Sequence, residues 1–159
     1  MEKVQEKIKK FMGDVPLLVE AGFIAIKQVD EESAKKCFYA AMVIDQEQSL
    51  PVIGLGMIHL LNLELDDASK MFNLVLQKEP DNQMARTMLG IAQLYRVNQE
   101  GLKEGRNLIE DAMEHTKEPS LTQLGKYSHD LYKEIKKKMK DLHPLESGSK
   151  IPPKNRLKN

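Results

Sequence analysis

The side chains able to do chemistry are few and scattered. Four histidines, His59, His115, His129 and His143, stand far apart, and none falls in a metal-ligand spacing such as HExxH. His59 lies among apolar residues at helical spacing, which suits a packed side chain with a polar tip. The single cysteine, Cys37, precedes Phe38 on an apolar stretch with no histidine near it in sequence, so a buried structural thiol is expected rather than a nucleophile. Gly54-Leu55-Gly56 invites a phosphate-loop reading, but it has no GK[ST] ending and no strand before it. The carboxylate clusters Asp30-Glu31-Glu32 and Asp66-Asp67 suit helix starts, where they complement the dipole and cap free N–H groups. Lys136-Lys137-Lys138 with Lys140 reads as the solvated face of a final helix rather than an RNA or acidic-lipid contact. These residues suit a binding protein. No enzymatic activity, cofactor or metal is expected.

Composition narrows the kind of binding. The 159 residues suffice for one domain with a hydrophobic core, and 24 basic side chains balance 24 acidic ones. The balance is regional: residues 1–80 carry 9 basic and 13 acidic side chains, and residues 81–159 carry 15 and 11. A zero total argues against a general nucleic-acid or anionic-membrane binder. Aromatic content of 5% without Trp leaves little for base stacking, whereas nine Met supply soft, adaptable apolar surface. One cysteine cannot close an intrachain disulfide. Residues 1–14 lack the continuous apolar segment of a secretory signal. The longest hydrophobic stretch, Leu50–Leu61, is interrupted by His59 and two glycines and is too short to span a bilayer. A soluble cytosolic protein is expected.

The elements that would position any binding surface are set by a repeat. Gly22, Gly56 and Gly90 are evenly spaced, and the same interval separates Ala34 from Ala68, Phe38 from Phe72, Ala41 from Val75, and Asp45 from Glu79. A fixed period of about 34 residues marks a stack of repeated units. Between these markers the pattern is helical. Val52, Leu55, Gly56, Ile58, His59 and Leu63 share one face, and Ala68, Met71, Phe72, Val75 and Leu76 share the next. A small residue lets two helices approach, and a large residue opposite fills the gap. Each helix pair leaves a face that the next must bury, so the pairs stack. The third unit starts with Met84, Leu89, Gly90 and Tyr95. Aligning its second helix on Gly105, Ile109 and Ala112 requires about three inserted residues near Val97–Leu102.

This pattern resembles the tetratricopeptide repeat over residues 15–117. The resemblance implies an all-α solenoid of about three helical hairpins, in units 15–48, 49–82 and 83–118. A capping helix would follow at 119–142, with Leu121, Leu124, Leu131, Ile135, Met139 and Leu142 on its apolar stripe. Residues 1–14 would form an arm or short helix, and residues 143–159 a disordered basic tail. In such repeats the first helix of each pair lines a concave groove. By register this groove is lined by Val19, Phe23, Ile26, Ile53, Met57, Leu60, Met84, Thr87, Ile91 and Leu94. Repeat co-chaperones that grip a C-terminal carboxylate need Lys, Arg and Asn at these places; an apolar, Met-containing groove suits an amphipathic helix instead.

Size, repeat number and groove character together look like the small tetratricopeptide chaperones of bacterial type III secretion, within them the branch that holds the needle subunit. That likeness implies a cytosolic protein that binds a needle-subunit helix together with a second small co-chaperone, or self-associates when the partner is missing. It implies no nucleic-acid binding and no membrane insertion. The translocator-chaperone branch and a general tetratricopeptide scaffold are the competing expectations.

Overall fold

A computed structural model describes Glu6 and residues 10–142 of the chain. The expectations for the rest of the N-terminal arm, for the basic tail 143–159 and for His143 concern residues outside that range. Every regular element among the described residues is helical. A 3-10 turn at Met12–Asp14 leads into α1 (Val15–Lys27), followed by α2 (Glu31–Ile44), α3 (Ser49–Leu61), α4 (Leu65–Lys78), α5 (Gln83–Leu94), α6 (Gln99–His115) and α7 (Pro119–Leu142). The starts of α1, α3 and α5 are evenly spaced, and those of α2, α4 and α6 keep the same interval.

Local chemistry explains those starts. Pro16, Pro51 and Pro119 stand in first turns, where the missing N–H has no intrahelical partner to lose. The side chains of Asp30, Asn82 and Asn98 accept from the backbone N–H groups of Ser33, Ala85 and Gly101. The α4 start differs from expectation: Glu64 precedes the helix without capping it, and Asp66 and Asp67 pair with Arg96 and Lys70. Within each hairpin the chain turns through a non-glycine residue in the left-handed region: Val29 (φ 60°), Leu63 (φ 59°) and Val97 (φ 50°). At the first two turns, bonds from Asp30 N to Ala25 O and from Glu64 N to His59 O, both 2.9 Å, close the preceding helix.

Packing follows chain order. The pairs α1–α2, α3–α4 and α5–α6 form hairpins; α3 packs on both helices of the first, α5 on both helices of the second, and α7 on both helices of the third. Polar bonds tie neighbouring hairpins, Asn62 to Glu31 (3.0 Å) and Arg96 to Asp66 (2.7 Å), while Ser49 to Glu79 and Arg86 to Asp111 each clasp a single hairpin. The two ends differ. On α3 and α5, Pro51, Leu55, Ile58, Ala85, Leu89 and Ala92 are buried, whereas their counterparts Leu17, Ala21 and Ile24 on α1 are exposed. At the other end α7 covers the last hairpin with Leu121, Gly125 and Ser128.

Helix approach explains the periodic glycines. The fully buried Phe38 ring lies between α1 and α3, where a Cβ on Gly22 would sit 2.5 Å from Cε1 and one on Gly54 2.5 Å from Cε2. Phe72 occupies the same place against Gly56. The third hairpin has Ile109 in place of an aromatic spacer: a Cβ on Gly90 would lie 2.7 Å from Ile109 Cγ1, as one on Gly56 would meet the Phe72 ring. The turn before α6 holds no extra residues and α6 starts in step, but it runs 17 residues against 14 for α4. Its buried Gly105, Ile109 and Ala112 come three places after the positions that match Ala68, Phe72 and Val75, so the added residues fall in its first turn. Gly105 faces Gly90 directly, and a Cβ on it would lie 2.6 Å from the Gly90 carbonyl oxygen. Backbone meets backbone at this crossing. Gly105 holds the place of Ala68 and Ile109 that of Phe72, three residues beyond the strict repeat interval, as the expected insertion requires.

Candidate partner-binding surface

The first helix of each hairpin carries the residues assigned to the groove, but they divide by depth. Val19, Ile53, Thr87 and Leu94 are buried and present no surface to a partner. Val19 packs with Val15 and Ala41, Ile53 with Phe72, Val75 and Ala85, and Leu94 with Leu102 and Ile109. The Thr87 hydroxyl donates to the Gln83 carbonyl of its own helix at 2.8 Å. These four are core residues, which corrects the expectation. An apolar stripe on a packed helix spans about 100° or more, so its edge positions turn inward against the partner helix.

The other six, Phe23, Ile26, Met57, Leu60, Met84 and Ile91, are half-buried. Met57, Leu60, Met84 and Ile91 rest on one core cluster shared by α3, α4 and α5, so the structure brings them onto common ground. Phe23 and Ile26 rest on the neighbouring cluster around Phe38, Leu55 and Ile58. Phe23 stands edge-on to Phe38, with ring centroids 5.2 Å apart at 68°. Exposed Leu61 and Tyr95 were not among the residues assigned to a binding surface. They lie one residue beyond Leu60 and Leu94 and one full repeat from each other, so extending the register by one position would have found them.

The other candidate groups have local partners. His59 Nδ1 lies 2.5 Å from Glu64 Oε2, His115 Nδ1 lies 2.8 Å from the Asp111 carbonyl, and His129 Nδ1 stands 4.0 Å from Glu110. Cys37 is half-buried, more open than expected of a structural thiol, because it sits beside the inward Phe38 rather than on the same face. Lys138 pairs with Glu134 at 2.8 Å, and Lys136 Nζ donates to the Tyr132 hydroxyl at 3.1 Å. That bond, with the Arg106 guanidinium near the ring, holds the Tyr132 phenol below its ordinary pKa although burial acts the other way. Glu31 is likewise held below the usual carboxylate range by Lys35 and then by Asn62.

What the surface offers is apolar contact with flexible Met edges. Among the described residues, no three His, Cys, Asp or Glu side chains converge to hold a metal, and no helix is long and apolar enough to cross a membrane. Compared with known proteins, the chain matches no family model and no curated protein.

Proposed function

We propose that the chain is a tetratricopeptide-type holding chaperone of bacterial type III secretion that works in the cytoplasm and takes the amphipathic helix of a needle subunit. The observation that carries this reading is the patch of Met57, Leu60, Met84 and Ile91 on one cluster, extended by Phe23 and Ile26 without a charged residue in the set. Support for the repeat class comes from helix starts and turn residues that recur at one fixed interval through three hairpins.

The mechanism is passive. An apolar helix face that would nucleate polymerisation is instead covered by α1, α3 and α5. Covering about 500 Å² of apolar surface contributes about 12 kcal/mol gross, much of it offset by association and ordering costs. Methionine at the contact adapts to the partner's contour. A second small co-chaperone completes the complex.

Co-expression with candidate needle and translocator subunits, followed by pull-down and mass analysis, tests the proposal. Capture of the needle subunit, with the chain turning from self-associated to monodisperse, is the expected result. Capture of a translocator alone assigns the other chaperone branch. Recovery of neither, from a chain monodisperse by itself, refutes the chaperone reading in favour of a scaffold. Met57→Glu with Ile91→Glu should abolish capture while circular dichroism stays helical; retained capture would place binding elsewhere.

A further inference from the structure

Each hairpin turns through a residue whose place glycine fills with less strain. Val29, Leu63 and Val97 hold φ of 60°, 59° and 50°, where branched side chains crowd the backbone. Burial offers no compensation, since the three are 90%, 64% and 52% exposed. Leu61 and Tyr95, next to the second and third turns, are also exposed. The turns adjoin one another: Glu31 accepts from Asn62 and Asp66 accepts from Arg96. An apolar row therefore runs along one edge of all three hairpins, apart from the patch around Met57.

Charge decides what fits this row. Helices α2, α4 and α6 begin beside it with Glu32, Asp67 and Glu100 in their first turns. Glu32 pairs with Lys36 and Asp67 with Lys70, so among the described residues the first-turn carboxylate left without a pairing cation stands at the third turn. At the third turn an open cleft is lined by Gln93, Arg96, Asn98, Glu100, Gly101 and Glu104. The Arg96 guanidinium is engaged by Asp66, and neither Glu100 nor Glu104 has an ion-pair partner among the described residues. At the third turn two copies meeting along this edge would set Glu100 and Glu104 against like charge, and an anionic lipid headgroup would be disfavoured in that cleft. Stacked helices lie about 8–10 Å apart, which matches the roughly 10 Å between residues i and i+7 of a helix.

We propose that this turn edge docks a basic amphipathic helix of a partner protein, with an apolar residue every seventh position seated on Val29, Leu63 and Val97 and a lysine or arginine in the Glu100–Glu104 cleft. This surface is separate from the proposed groove and stands whether or not that groove holds a needle subunit.

The probe is a synthetic helical peptide with leucine every seventh residue and lysine beside each leucine, titrated by fluorescence anisotropy against the full chain at low salt. Peptides of shuffled order and with glutamate for lysine are the controls. The lysine peptide should bind at least about tenfold more tightly than either control, with the salt dependence of ion pairing. The triple variant Val29→Gly, Leu63→Gly, Val97→Gly should lose about tenfold in affinity while melting no lower than the parent. Glu100→Lys with Glu104→Lys, on exposed or cleft-facing positions, should weaken binding to a similar degree. Met57→Glu should leave it unchanged. No binding, equal binding of the controls, or full affinity in both the triple and the charge-reversed variants would overturn the proposal, and sensitivity to Met57→Glu alone would move the site to the groove.

Discussion

Gly54→Ala sets helix propensity against packing, and the structure says packing wins. Alanine is favoured over glycine in a helix interior by about 1 kcal/mol. Against that gain, the new methyl would lie 2.5 Å from Phe38 Cε2 and 2.6 Å from Cε1, where ordinary contact begins at 3.4 Å. The ring must retreat by about 1 Å, yet its other side is pressed on α1, with Cε1 only 2.5 Å from where a Gly22 methyl would stand. Helices α1 and α3 must part instead. Such overpacking costs about 3 kcal/mol at the upper end of its range, leaving a net loss of about 2 kcal/mol and about 4–8 °C in Tm. Thermal melts by circular dichroism measure it, with Gly13→Ala, where nothing lies within 4 Å, as a control that should hold or raise Tm. Removing the ring should relieve the clash, so Gly54→Ala and Phe38→Leu together should cost less than their sum by about 1–2 kcal/mol. Higher stability in Gly54→Ala, or simple additivity in the double variant, would refute the account of Phe38 as a fixed spacer between two hairpins.

Other outcomes follow from the turns and the clasps. Val29→Gly should stabilise the fold by about 0.5–1 kcal/mol, because relief of about 1–2 kcal/mol of left-handed strain exceeds glycine's extra entropy cost; denaturant unfolding midpoints measure it, and a lower midpoint contradicts the strain. Glu79 accepts from Ser49 and Asn82, which draw its pKa below the ordinary 4.5. A lowered folded pKa contributes stability above the unfolded value and loses it as pH falls through the folded one. Glu79→Gln should therefore lower Tm at pH 7, by less than about 1 kcal/mol in stability terms, and the gap should close below about pH 4. A gap that persists in acid would assign the effect to something other than the charge.

The helical class was open to sequence reading because a single residue type carries each requirement. Gly22 and Gly56 must be small for Phe38 and Phe72 to fit, so their period is visible without coordinates. The insertion ahead of Gly105 was legible as well, since Ile109 meets Gly90 where Phe72 meets Gly56, but the direct approach of the Gly90 and Gly105 backbones was hidden. The turns at Val29, Leu63 and Val97 were hidden too, because valine and leucine carry no turn signal although they recur once in every repeat. For the groove, register found the right helices but not the depth. Whether Val19 or Phe23 stays open depends on how closely neighbouring helices cross, a property of packing rather than of spacing.

The contrast between the two ends of the stack bears on how the molecule comes apart. Among the described residues the main contacts join adjacent hairpins, so the chain can open stepwise rather than all at once. At the C-terminal side α7 must peel away before the third hairpin, with its Gly90–Gly105 backbone contact, can loosen. At the opposite side no described helix covers α1 in the same way, and its Leu17, Ala21 and Ile24 are exposed. Fraying should therefore start at the first hairpin and travel inward, with amides of α1 exchanging ahead of those of α5. A segment held across all three hairpins would be let go from that end first, and the order of release would be written in the stacking itself.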